Sequence, residues 1–194
     1  MAMHTELWFP QVVWSCIVNS IDNTELKKFA YQVKNLDPNG RVYSNFGGYQ
    51  SKDILKGTNV QIDKLVDYLD EEIANCCRQV GLPELQIYNL WINISPGNGS
   101  YNELHHHIGS VLSGVYYVDA SPDQGNIEFE RGDNAEYHLP EQVEKATYFT
   151  SSKATYAAKT NALYVFPSWL KHKVQGNFSK KDRISIAFNY GEKQ

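Results

Sequence analysis

The spacing of apolar positions changes character partway along the chain. After Asp22-Asn23-Thr24-Glu25, residues Leu26, Phe29, Ala30 and Val33 recur at helical intervals, and Asn39-Gly40 ends the run. A second helical pattern starts at Asn59 and reaches about Val80. It places Ile62, Leu65, Val66, Leu69, Ile73 and Cys76 on one face, and Gly81-Leu82-Pro83 stops it. From Leu85 the period drops to two. Gln86–Ile94 reads as a strand closed by the turn Ser95-Pro96-Gly97-Asn98-Gly99. A strand carrying three adjacent histidines follows, and then Val111–Val118. After the turn Ser121–Gly125, Asn126–Glu130 is expected to pair back on Val111–Val118. Residues 132–160 read as an insertion with one short strand near Ala146–Thr150. Ala162–Phe166, His172–Val174 and Arg183–Tyr190 are the closing strands.

Ahead of the first helix, Leu7-Trp8-Phe9 and Val12–Val18 read as an opening strand interrupted by Pro10. Arg41–Asp53 is polar and glycine-containing and reads as a loop or irregular strand, either a surface loop or the lining of a pocket. The pattern predicts one mainly β domain over 1–194. Its strand and helical support layer spans 1–84, and its sandwich or barrel core spans 85–194.

The 194 residues are enough for one substantial core, with 42% hydrophobic and 21% charged positions. Thirteen tyrosines, eight phenylalanines and four tryptophans favour strands, and would suit a homodimer face without requiring one. The net charge of −4 and the lack of a basic cluster argue against a nucleic-acid partner. No apolar run reaches membrane length, and no charged segment followed by a long apolar run opens the chain. Cys76 and Cys77 are adjacent within a helical pattern, and Cys16 stands apart. They read as reduced core residues of a cytoplasmic protein.

The candidate chemistry lies in Tyr101-Asn102-Glu103-Leu104-His105-His106-His107-Ile108-Gly109-Ser110. In an extended strand His105 and His107 share one face and His106 takes the other. Two imidazoles at this spacing can bind one metal ion; the alternative is a surface histidine run. His172, late in the chain, is a candidate third ligand. Arg183 follows one strand later with Ser185 on its face, and an inward arginine needs an anion, for which its planar fork suits a carboxylate.

These motifs resemble the 2-oxoglutarate/Fe(II)-dependent dioxygenases of the prolyl-hydroxylase-like branch, over about Ile87 to Tyr190. Pro96-Gly97-Asn98-Gly99 before His105, Ser113–Val118, Gly125–Phe129 and His172…Arg183-Ile184-Ser185 carry the likeness. Asn102-x-x-His105-x-His107-x-Gly109-Ser110-x-x-Ser113-Gly114 and Phe166-Pro167-Ser168-Trp169-Leu170-x-His172-x-Val174 are similar to a 2-oxoglutarate/Fe(II) oxygenase family of bacteria and phages with little assigned function.

The resemblance implies a double-stranded β-helix, or jelly roll, with Fe(II) on His105, His107 and His172. It implies 2-oxoglutarate held at its far carboxylate by Arg183, Ser185 and Tyr117. Hydroxylation of a small-molecule or peptide substrate by O2 would then release succinate and CO2. For Tyr117 core packing is the alternative. Asn93 is expected at the cofactor or the substrate, and Trp91 and Trp169 read as packing residues. Arg41–Asp53 and the 132–160 insertion are where substrate choice is expected.

One departure stands out: His107 occupies the usual carboxylate position, so three neutral imidazoles would leave the iron its full divalent charge. Glu103 shares a strand face with His105 and could be recruited, but it lies on the wrong side of it for the family pattern. Two other readings stay open here. One is a cupin-type three-histidine dioxygenase or isomerase without 2-oxoglutarate, which leaves Arg183-x-Ser185 unexplained. The other is a non-catalytic metal-binding jelly roll.

Overall fold

The computed structural model describes residues 3–192. Helix α1 (Asn23–Leu36) starts where the Asp22 side chain accepts hydrogen bonds from the Thr24 and Glu25 N–H groups. Helix α2 (Val60–Val80) starts in the same way on Asn59 and ends at Gly81, whose φ of 73° is the left-handed conformation that glycine adopts without strain. No helix among the described residues is long and apolar enough to cross a membrane.

The strands are β1 (Trp14–Ile17), β2 (Asn45–Phe46), β3 (Tyr49–Gln50), β4 (Leu85–Ser95), β5 (Ser100–His105), β6 (Leu112–Asp119), β7 (Ile127–Glu130), β8 (Lys153–Tyr156), β9 (Ala162–Pro167), β10 (His172–Asn177) and β11 (Arg183–Glu192). They form two antiparallel sheets, ordered β1-β9-β6-β11-β4-β3 and β2-β5-β10-β7-β8. This is the expected mainly β jelly roll with two supporting helices.

Alternation along the strands divides the interior. Ile184, Ile186, Phe188 and Tyr190 of β11 pack with Leu90, Ile92 and Ile94 of β4 against the buried faces of the helices. Each such side chain, fully buried, contributes about 1.5–3 kcal/mol. A smaller apolar cluster between the sheets includes Val115, Phe129, Tyr164 and Phe166. The opposite face of β11, with Arg183, Ser185 and Ala187, is left to line a pocket. Cys76 and Cys77 are buried in the helix layer and Cys16 is half-buried, all as free thiols.

Three expectations change and a fourth gains detail. First, β7 does not pair back on β6; it lies in the other sheet between β10 and β8. A 3-10 turn at Pro122–Gln124 and Gly125 at φ 88° carry the chain across, and a Cβ at Gly125 would run into the Gln175 carbonyl. Second, the insertion's strand is Lys153–Tyr156. Residues 146–150 instead close a turn in which the Thr150 hydroxyl donates to the Lys145 carbonyl and Ser151 N–H donates to the Thr147 carbonyl. Third, only Trp14–Ile17 of the opening segment is strand. Fourth, the Arg41–Asp53 segment bridges the two sheets: β2 pairs with β5 in one and β3 with β4 in the other.

Candidate active site

The register of β5 on β10 sets His172 directly opposite His105. His107 lies past the end of β5, and its backbone N–H donates to the Ser168 carbonyl at 2.9 Å. The chain thus folds His107 back toward the other two, while His106 is exposed. One ligand atom from each of the three imidazoles lies within 4.8 Å of the others, and His107 Nε2 stands 3.3 Å from His172 Nε2. His105 Nδ1–H donates to the Glu103 carbonyl at 2.6 Å, and His172 Nδ1–H donates to the Leu170 carbonyl at 2.9 Å. These bonds fix the tautomers and leave both Nε2 atoms as acceptors that can face a metal, with the Ser44 hydroxyl 3.5 Å from that of His105.

Burial, reinforced by the neighbouring histidines, holds the imidazoles neutral. His172 is pushed down to about 3 and His107 to about 4, and His105 is also lowered. On His107 the Asn189 amide acts against that shift. Neutral imidazoles converging on one point form a donor set suited to a divalent transition metal. Among the described residues these three histidines are the cluster that could hold one, and Glu103 is exposed and outside it. Trp91 stacks on His107, with ring centroids 5.8 Å apart and planes at 24°. Phe166 and Phe129 crowd His172. Trp169, expected to pack, is 60% exposed.

Arg183 shares the pocket with the histidines and is only 2% exposed. Its Nη1 donates to the carbonyls of Gln124, Gly125 and Gln175, the last two at 3.1 and 3.2 Å. All its hydrogen bonds run through that one nitrogen, and no carboxylate among the described residues pairs with it. Burial lowers its pKa, with Tyr117 acting in the opposite sense. The Tyr117 hydroxyl is buried without a hydrogen-bond partner; burial pushes it up to about 12, with Arg183 opposing.

Sheet register explains the grouping. Gln50 faces Asn93, Asn93 faces Ser185, and Ser185 faces Tyr117, so four polar side chains form one row across β3, β4, β11 and β6. Ser95 faces Arg183 in the next row. The structure therefore brings His105, His107, His172, Arg183, Ser185, Tyr117 and Asn93 to one pocket. A buried guanidinium without a counter-charge and a buried hydroxyl without a partner are costly unless an anion meets them, so the residues fit a carboxylate-bearing cofactor beside a metal.

Two features escaped the sequence. Gln50, 7% exposed and without a side-chain hydrogen bond among the described residues, lines the pocket together with Ser44. Strands as short as β2 and β3 carry no periodic signal. Asn189, on the same period-two face as Arg183 and Ser185, is legible in position but not in its bonds to Ser113 and Asn89.

Residues 89–189, more than half of the chain, match the family model described as "Putative 2OG-Fe(II) oxygenase". A search of the curated proteins returns no match. Among solved structures, the chain is similar to a Pseudomonas putida prolyl-4-hydroxylase, at TM-score 0.65 and 14% identity over 95% of this chain and 94% of that one. It is also similar to a Trichoplax adhaerens prolyl hydroxylase solved with a hypoxia inducible factor oxygen degradation domain peptide fragment, at TM-score 0.63 and 16% identity over 92% and 83% of the chains. HygX from Streptomyces hygroscopicus, solved with nickel and 2-oxoglutarate bound, gives TM-score 0.63 and 14% identity over 94% and 84%.

Proposed function

Because this chain belongs to the 2OG-Fe(II) oxygenase family, we propose that His105, His107 and His172 hold its Fe(II) and that Arg183, Tyr117 and Ser185 receive the distal carboxylate of 2-oxoglutarate. The enzyme's cofactors are Fe(II) and 2-oxoglutarate. The observation that carries the residue assignment is a buried guanidinium without an anionic partner, in the same pocket as three converging neutral imidazoles.

When bound, iron and 2-oxoglutarate supply an oxidation of a substrate C–H bond by O2, with 2-oxoglutarate leaving as succinate and CO2. The chain's own residues position and desolvate. Three backbone carbonyls fix the Arg183 guanidinium through Nη1, which leaves its remaining N–H groups to meet a carboxylate. The Tyr117 hydroxyl, without a protein acceptor, is free to donate to the same carboxylate. Asn93, next in the row, reaches the cofactor or the substrate. Trp91, Phe129 and Phe166 surround the imidazoles and exclude water from them. With no carboxylate among the ligands, a metal-loaded site has one more positive charge than a two-histidine, one-carboxylate site. That charge favours binding of the dicarboxylate cofactor.

Gln50 and Ser44 enter from the segment bridging the sheets, so Arg41–Asp53 is one wall of the substrate side. A neutral hydrogen-bonding group on a peptide or small molecule suits them. The test is succinate formation from 2-oxoglutarate under air with added Fe(II). Slow turnover without added substrate is expected from the native protein and none from His172→Ala. The absence of both turnover and 2-oxoglutarate binding in the native protein contradicts the assignment.

A further inference from the structure

We infer that the Ser44 hydroxyl, aimed by Asn102, is the hydrogen-bond donor for the group that occupies the open side of the metal. The inference rests on the reading of His105, His107 and His172 as ligands, and it sharpens the part played by the Arg41–Asp53 wall. Asn102 opens the motif Asn102-x-x-His105-x-His107, and no role in holding metal or cofactor falls to it. Side chains three apart on a regular strand take opposite faces. Here β5 bulges: His105 lies opposite His172 and Asn102 opposite Val174, so three steps along β5 match two along β10. The extra residue brings Asn102 and His105 to one face, and both line the pocket with Ser44. Glu103 and Leu104 are left exposed.

Ser44 comes from the segment that bridges the sheets. Its carbonyl accepts the Glu103 N–H at 2.9 Å, and Asn45, the next residue, faces Asn102 in the β2–β5 ladder. The Asn45 side chain braces the turn. It accepts from the Tyr43 N–H at 2.9 Å and donates to the Arg41 and Gly48 carbonyls at 3.2 Å. The Ser44 main chain is therefore fixed, and its side chain has two partners. Asn102 Nδ2 donates to Ser44 Oγ at 3.2 Å, and Oγ stands 3.5 Å from His105 Nε2. His105 gives its Nδ1–H to the Glu103 carbonyl, so Nε2 is the acceptor and the hydroxyl the donor. A metal held by Nε2 takes the lone pair that the hydroxyl meets. Asn102 still fills one acceptor site of Oγ, so the displaced O–H turns into the pocket beside the metal. An acceptor bound on the metal's open side receives it there. Gln50, which lies in the row with Asn93, is left to the substrate.

The test loads metal-free protein with Co(II) and then titrates azide, an anion that takes open metal positions and shifts the visible bands of Co(II). Ser44→Ala is expected to keep native Co(II) affinity, because the hydroxyl bonds no ligand atom once the metal is in place. It is expected to bind azide about tenfold more weakly. Ser44→Thr keeps the hydroxyl and is expected to bind azide as native protein does. Asn102→Ala leaves the hydroxyl unaimed and should show a smaller loss in the same direction. Native azide affinity in Ser44→Ala overturns the inference. So does a matching fall in Co(II) affinity, which marks a residue that only shapes the metal site, and so does Ser44→Thr binding azide as weakly as Ser44→Ala. If Ser44→Ala does not fold, Asn102→Ala decides, and native azide affinity in that variant overturns the inference. Native protein that takes up Co(II) but not azide overturns this inference alone. Folded native protein that takes up no Co(II) overturns the ligand assignment with it.

Discussion

The two ends of the inner face of β11 treat polar groups in opposite ways. At the Arg183 end, a buried guanidinium has no counter-charge, the Tyr117 hydroxyl has no partner, and Gln50 has no side-chain hydrogen bond among the described residues. At the Asn189 end, Asn89, Ser113, Ser168 and Asn189 are joined by bonds of 2.6–2.8 Å. Both ends are built by the same device, polar residues facing one another across β4, β11 and β6. One end is complete without a ligand and the other needs one. A buried polar group without a partner costs about 1–3 kcal/mol, so a fold keeps several together only where something else will pair with them. The satisfied end is scaffold for His107, and the unsatisfied end is the receiving surface.

The contrast can be broken at each end. The largest effect is expected between the two, at the metal: His172→Ala removes a ligand and should weaken Co(II) or Fe(II) binding by about a hundredfold or more, measured by calorimetry on the metal-free protein. Arg183→Ala comes next. Losing a charge-assisted contact of about 2–3 kcal/mol should raise the 2-oxoglutarate dissociation constant roughly thirty- to hundredfold while metal affinity holds. Ser113→Ala acts at the satisfied end and should do the reverse. It cuts two buried hydrogen bonds and should lower stability by about 1–3 kcal/mol, read as a fall in Tm, with little change in 2-oxoglutarate affinity. The smallest effect is expected for Tyr117→Phe. Its hydroxyl bonds nothing in the protein, so Tm should hold or rise, while 2-oxoglutarate binding weakens by about two- to tenfold. If Tyr117→Phe costs stability and Ser113→Ala costs cofactor binding, the two ends have been assigned the wrong way round.

What could be read in the sequence was what local physics decides. Asp22, Asn59 and Gly81 cap their helices as their side chains and φ preferences require. The period-two runs of β4 and β11 give both the strands and the faces, and so place Arg183 and Ser185 together. His105 and His107 were paired by alternation, although the strand ends at His105 and the Ser168 carbonyl completes the turn. What escaped depends on distant partners. The crossing of β7 into the other sheet rests on a turn at Gly125 packed under Gln175. Trp169 reads as a packing residue, but nothing in its own stretch shows that no neighbour covers it. Asn189 looks like an ordinary mid-strand asparagine until Asn89 and Ser113 are brought against it.

The most direct measurement of the central claim is the visible charge-transfer band formed when 2-oxoglutarate joins Fe(II) in the absence of O2. Native protein should show the band on addition of 2-oxoglutarate. Arg183→Ala should reach the same band only at a concentration about thirty- to hundredfold higher. No band in native protein that has bound Fe(II), or one titrating identically in the two proteins, contradicts a pocket in which the three imidazoles and the unpaired guanidinium act on one cofactor.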